Sequence, residues 1–452
     1  MTHSAPASIA ARRVFRGGTF VPATVHIVDG LVAAITDIDP DADILLPDDA
    51  VLLPGLVDSH VHLDEPGRTE WEGFATGTAA AAAGGVTTLL DMPLNSVPVT
   101  TTPEALAAKR AAAQGKLAVD VGYWGGAVPE NLGRLRELSD AGVVGFKCFL
   151  SPSGIDEFGH LDPDQLLAAL TELATFDGLL IVHAEDPAHL HADGALGVHY
   201  RDFLASRPPV SERDAIRRVI DAARRTGARA HIVHVSDGEA LDDVRAAKAE
   251  GVRLTIETCP HYLTLDAETV PDGAAAFKCC PPIRDRANQD LLWQGVVDGT
   301  VDAIVSDHSP ATPELKGEPD FGLAWGGISG LQTGLAAVHT EARARGIRLE
   351  QILPLMTTGP ARIGGLGVRG TITVGEPAHL AVFRPDATWT VDAAALEYRN
   401  PLSPWHGATL TGVVEQTYLA GAAVYRRGEG ILARSGRELI AAGDEAPREE
   451  RA

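Results

Sequence analysis

Residues 57–63 read VDSHVHL, with His60 and His62 two apart in an apolar, β-forming stretch. Side chains alternate across a strand, so Asp58, His60 and His62 share one face. Two imidazoles converging from one rigid strand can hold a divalent metal; they can equally be a hydrogen-bonded pair inside a core. Further donors follow along the chain: Lys147 in GFKCFL, His183 in VHAE, His234 in VHVS and Asp307 in VSDHSP. Four histidines and an acid suffice for two divalent ions, provided something anionic bridges them. The chemistry such a set performs is hydrolysis by a metal-activated water.

Lys147 and Asp307 each admit two roles. An ammonium offers no lone pair to a metal. The apolar neighbours of Lys147 favour the neutral amine, which can add carbon dioxide to give a bridging carbamate. A purely structural lysine is the alternative. Asp307 can hold a metal and take a proton from the bridging water, or it can cap a helix ahead of Ser309 and Pro310.

The elements that must position these groups are legible as alternation. Short apolar runs at 56–63, 86–92, 117–125, 143–150, 179–185, 228–236, 252–259 and 301–308 read as strands. Helical stretches lie between them, for example 104–114, 163–176 and 212–227, and Gly115, Gly142, Gly178, Gly227 and Gly251 suit left-handed helix stops. Eight β–α alternations point to a TIM (β/α)8 barrel over residues 56–366, with 349–366 as its closing helix. The donors fall at the C-terminal strand ends, where such barrels keep their chemistry. The flanks, 1–55 and 367–430, carry strand-like pieces (RVFRGGTFV, ATVHIVDG, LVAAITDI; GTITVGEPAHLAVFRP, GVVEQTYLAGAAVYRRG) expected to combine into one small β-sandwich. Residues 431–452 read as a tail whose end, GDEAPREERA, is polar and disordered in composition.

The 452 residues are 45% hydrophobic and 22% charged, within the soluble globular range. A formal net charge of -23 excludes a nucleic-acid partner, whose phosphates it would repel. Cys148, Cys259, Cys279 and Cys280 contain no C-x-x-C pair, and small buried thiols in a reducing cytoplasm are expected. No signal-peptide core and no run of about 18 apolar residues occurs, so no membrane span and a cytoplasmic location are expected. Among the other histidines, His231 is expected to be structural, on the opposite strand face from His234. His308 is expected to hydrogen-bond nearby, and His261 to sit behind the ligands at the mouth. His160, His189, His191 and His199 are expected in solvent-facing loops or a lid.

With these residues in place, the chain resembles the cyclic-amidohydrolase branch of the amidohydrolase superfamily, and within it the allantoinases. The stretches that carry the resemblance are PGLVDSHVHLDEPGRTEWEGF, GGVTTLLDMPLNSVPVTT, GFKCFLSPSGIDEF, HAE, HVS, ETCPHYL, FKCCPPIRD, VSDHSPATPELK and AWGGISGLQ. They run from the N-terminal flank to about residue 425. GEPAHL departs by placing His379 where the family often has an acid. The resemblance implies a barrel plus sandwich, a homotetramer and two divalent ions, usually zinc. It assigns His60, His62 and Asp307 to one ion, His183 and His234 to the other, and a carboxylated Lys147 to both. The implied activity is hydrolysis of the ring amide of allantoin to allantoate, with Asp307 as the catalytic proton carrier.

Substrate choice among relatives turns on loops. Dihydroorotases typically carry Arg where this chain has Asp64, which is expected to repel a carboxylate. Hydantoinases and dihydropyrimidinases generally carry a Tyr where this chain has LSPSGIDEF. Asn95, Ser96 and Ser153 are candidates for the ureido arm of allantoin, or else ordinary loop caps. Backbone near Cys280 and Gly326 is expected to orient the ring. A hydantoinase or dihydropyrimidinase is the nearest alternative. A non-catalytic scaffold is the other, and retention of all six ligand candidates disfavours it.

Overall fold

All eight expected strand runs are strands in the computed structural model, which describes residues 6–191 and 194–440. Leu56–Val61, Val86–Asp91 and Asp120–Tyr123 pair in parallel. Gly125–Gly126, Phe146–Phe149, Leu179–His183, Arg229–Ile232, Leu254–Thr258 and Ala303–Ile304 form a second parallel set. Gly125–Gly126 continues the third run beyond Trp124, so that run belongs to both sets. At the other seam Val61 bridges His308 in parallel, and the His62 amide donates to the His308 carbonyl at 2.8 Å. The pairing therefore returns from the eighth run to the first. Nearly every strand residue is buried, as parallel strands covered by helices require.

Local sequence explains the helix boundaries. Thr102 accepts from the Ala105 amide to start Pro103–Ala113, and Asp162 with Gln165 forms a capping box on Pro163–Ala174. The expected helix at 212–227 spans Pro209–Thr226 and stops on Gly227 at φ 69°. Gly115, Gly142 and Gly251 also take positive φ. Gly178 does not: an added Cβ there would meet side chains of Leu173 and Phe176 below 3 Å, so close packing is what selects glycine. The stretch 349–366 is not one helix. It divides into Leu349–Ile352, a 3-10 turn at Leu353–Met356 and Thr358–Ile363, because Pro354 and Pro360 lack the amides a continuous helix needs.

Both flanks share one nine-stranded sheet, joined where Val51–Pro54 pairs antiparallel with Leu380–Thr390. RVFRGGTFV is not one strand: Gly17 and Gly18 turn the chain between Ser8–Arg16 and Thr19–Val28. Alternation sorts the junction into two cores. Val51, Leu53, Ala381 and Phe383 join the large core of the parallel domain. Leu52, Leu380 and Val382 join Ile9, Val25 and Tyr418 in a separate core on the other face. His379 ties sheet to parallel strands, accepting from the Ala420 amide at 3.0 Å and lying 3.4 Å from Asp120.

The segment after residue 430 is not merely a tail. The Val121 amide donates to Arg437 at 2.9 Å and the Leu439 amide to Val121 at 2.8 Å, so this segment straps the third parallel strand. At Gly436 an added Cβ would sit 2.0 Å from the Val119 carbonyl oxygen, which leaves room for glycine alone. The stretch GDEAPREERA lies outside the described residues.

Candidate active site

The strand ends converge on one cavity of about 320 Å³. His60, His62, Lys147, His183, His234 and Asp307 all line it, as do Asn95, Ser153, Cys280 and Gly326. Donor atoms of His60, His62 and Asp307 lie within 4.8 Å of one another. His60 Nε2 stands 3.1 Å, and His62 Nε2 3.8 Å, from the same Asp307 oxygen. His183 Nδ1 and His234 Nε2 face each other at 3.0 Å.

Three of the imidazoles are held from behind. His60 Nδ1 meets Glu257 at 2.5 Å, His62 Nδ1 meets the Leu94 carbonyl at 2.8 Å, and His183 Nε2 meets Glu185 at 2.8 Å. Each partner fixes one nitrogen and turns the other toward the cavity, the arrangement that metal-ligating histidines require. Buried His234 Nδ1 has no partner among the described residues. His234 and Asp307 take φ of 40° and 42°, left-handed for non-glycine residues. Such backbone costs about 1–3 kcal/mol per residue and persists where the surroundings demand it.

Electrostatics fit a cationic occupant. Burial, with His60 next to it, pushes His62 down to about 3, and burial with His183 holds His234 well below its ordinary value. Both imidazoles are therefore neutral, with lone pairs free. Burial opposes a charge on His60, but Asp307 and Glu257 outweigh it and raise His60 to about 9. Burial also works against the charged Asp307, yet His60, by its charge and its hydrogen bond, keeps the carboxyl well below the carboxylate range. Burial lowers Lys147 to about 8, against the pull of Asp307, which makes the neutral amine accessible. Neutral histidines, an ionised acid and a buried amine in one cavity suit two divalent ions.

Asp307 caps no helix: the next one, Pro313–Lys316, starts at Thr312. His231 does not lie off the site's face. Its Nε2 is 2.9 Å from Glu257, the carboxylate that holds His60, and residue parity fails because His234 stands beyond the strand in left-handed backbone. His308 bonds Glu72 at 3.2 Å, and buried His261 groups with Cys259 and Asp307. His189 and His199 pair with Asp214 and Asp272, away from the cavity wall.

Asp64 does not face a substrate. It is 1% exposed, absent from the cavity wall, and accepts from Asn95 Nδ2 at 3.2 Å. Burial pushes its carboxyl well above the ordinary range, so it offers no exposed negative charge. Ser153 lines the cavity, but its hydroxyl meets the Phe158 carbonyl at 2.7 Å within its own loop. Ser96 is buried and does not line the cavity. Glu257, Glu185 and the Leu94 carbonyl were not anticipated. The signal for Glu257 was a carboxylate inside the strand run VRLTIETC, where an unpaired charge is costly.

Residues 51–424 match the Amidohydrolase family. The chain belongs to that family. It is 55% identical over 413 residues to an allantoinase of Streptomyces avermitilis, covering 90% of this chain and 93% of that protein. It is 40% identical to an allantoinase of Arabidopsis thaliana, over 93% of this chain and 88% of the relative. Among solved structures, an L-hydantoinase (dihydropyrimidinase) from Arthrobacter aurescens superposes with a TM-score of 0.89 at 29% identity, covering 97% of this chain and 100% of that one.

Proposed function

We propose that this protein hydrolyses the ring amide of allantoin to give allantoate. The observation that carries this is 55% identity to an allantoinase across nine-tenths of the chain, together with a cavity lined by all six expected donors. A hydantoinase or dihydropyrimidinase remains the second reading, on the strength of fold likeness at 29% identity or less in the matching structures. A non-catalytic scaffold has no reason to keep the outer partners that hold three histidines.

In this proposal His60, His62 and Asp307 would hold one ion, His183 and His234 the other, and Lys147, once carboxylated, would serve both. The two ions, proposed to be zinc, would polarise the ring carbonyl and lower the pKa of water toward about 7. Asp307 takes the proton of the attacking water and delivers it to the ring nitrogen as the C–N bond breaks. Glu257, Glu185 and Leu94 keep the imidazoles oriented while this happens. Phe149, stacked on His183 at 4.5 Å between ring centroids, shields that side from bulk water. The backbone at Cys280 and Gly326 forms the wall against which the ring lies, with Asn95 and Ser153 lining the cavity on the side of the arm.

We read the returning parallel strands as a TIM barrel over residues 56–366. Flanks 1–55 and 367–430 are its sandwich, and 431–452 the terminal segment. Four unbridged cysteines support a reducing cytoplasm, and among the described residues no helix is long and apolar enough to cross a membrane. Family resemblance supports a homotetramer. The test of function is a panel of allantoin, hydantoin, dihydrouracil and dihydroorotate on metal-loaded enzyme. Allantoin should have the highest kcat/KM and dihydroorotate the lowest; faster turnover of dihydrouracil moves the assignment to the second reading.

A further inference from the structure

Arg207 carries more hydrogen-bonding capacity than its known neighbours use. It follows the helix Tyr200–Ser206, and its side chain, 14% exposed, lines the cavity. Its backbone is anchored at both ends, the amide on Leu204 and the carbonyl on Arg284 Nη1 at 3.4 Å. One guanidinium N–H meets Glu185 at 2.5 Å, on the oxygen that also meets His183 at 2.8 Å. A guanidinium has five N–H donors in a planar fork. Among the described residues its buried Nε has no acceptor.

Several other polar side chains of the cavity wall are already engaged. The Ser153 hydroxyl is turned to Phe158, Asn95 Nδ2 to Asp64, and Lys278 Nζ to the Ala324 carbonyl at 2.6 Å. Arg207 differs from Lys278 in offering a planar fork with a buried donor left unpaired. It stands beside the His183 end of the site and borders Cys280. A buried, half-used planar fork suits a planar carbonyl acceptor, and a charged donor strengthens the bond to a neutral one.

We propose that Arg207 is a specificity-determining residue that binds the carbonyl oxygen of the substrate's ureido arm. This rests on the allantoin assignment and replaces Asn95 and Ser153 as the groups that read the arm. Losing the arm would leave the Arg207 donors unpaired, which is how a polar site rejects a truncated ligand.

The test compares allantoin with 5-methylhydantoin, which has the ring without the arm, on metal-loaded wild type, Arg207→Gln and Arg207→Lys. Where 5-methylhydantoin is not turned over, it is followed as a competitive inhibitor. Arg207→Gln should lose about 10- to 100-fold in kcat/KM for allantoin, mainly through KM, with Arg207→Lys between it and wild type. The constant for 5-methylhydantoin should move less than about 3-fold. Metal content and melting are read alongside, and if Arg207→Gln does not fold, Arg207→Lys carries the same comparison. Equal losses on both ligands, or lost metal with unchanged KM, would overturn the proposal and leave Arg207 acting through Glu185 and His183 alone. A wild type inert toward allantoin would overturn the substrate assignment itself, before any variant is made.

Discussion

The floor and the roof of the cavity are fixed by different means. On the floor, side chain mostly holds side chain: Glu257 on His60, Glu185 on His183, and Asp307 beside both His60 and His62, with the Leu94 carbonyl on His62 the exception. In the roof, side chain holds backbone. Lys316 Nζ reaches the carbonyls of Ala275 at 3.1 Å, Lys278 at 3.3 Å and Gly327 at 2.5 Å. Asp320 takes the amides of Leu196 at 2.9 Å and Gly197 at 2.7 Å. Contacts between side chains aim individual atoms, as proton transfer and metal binding require. Contacts to backbone hold a loop in place whatever side chains it displays. The floor is thereby tied to residue identity, while the roof can change its side chains and its substrate on the same frame.

Breaking the floor should have the largest effects. Asp307→Asn keeps shape and one oxygen but removes the proton acceptor, so turnover should fall by about 10²–10⁴-fold. Bound metal should fall much less than in a His60→Ala, His62→Ala double variant, as measured by elemental analysis. Near-normal turnover would reassign the proton carrier. Glu257→Gln acts one step further out, loosening His60 without touching substrate. Metal affinity should weaken by about 10- to 100-fold, read by competition with a chelator. An unchanged affinity would mean the strand alone aims His60.

The roof should answer in stability rather than chemistry, and mildly. Burial, with Lys278 nearby, brings Lys316 down to about 7 from 10.5. Between those values the unfolded chain holds a proton that the folded chain has released, so folding stability gains as pH rises through this window. The Tm of wild type minus that of Lys316→Met should therefore increase from pH 7 toward pH 10. A flat difference would show that Lys316 keeps its charge in the fold.

Much of this was legible from residue order. The eight strand runs follow from apolar alternation, and the six candidate donors from their recurrence at strand ends, although pattern alone left Lys147 and Asp307 a structural alternative. The outer partners did not: Glu257 lies 197 positions from His60, and only three-dimensional closure pairs them. Asp64 differs from its expected role for the same reason, since position along the chain does not reveal that its carboxyl is buried against Asn95 and absent from the cavity wall. Broken helices, as at Pro354 and Pro360, were legible locally but outweighed by the long apolar pattern around them.

The antiparallel pairing of Val51–Pro54 with Leu380–Thr390 has a consequence for synthesis. The first strands leave the ribosome with an open edge whose partner is translated only after the entire parallel core. Until then the backbone of Val51–Pro54 lacks its antiparallel partner on that side, and an open strand edge invites pairing with other chains. The last strands to be made are thus the ones that seal the first, and a chain truncated before Leu380 would keep its beginning unprotected however well its middle had formed.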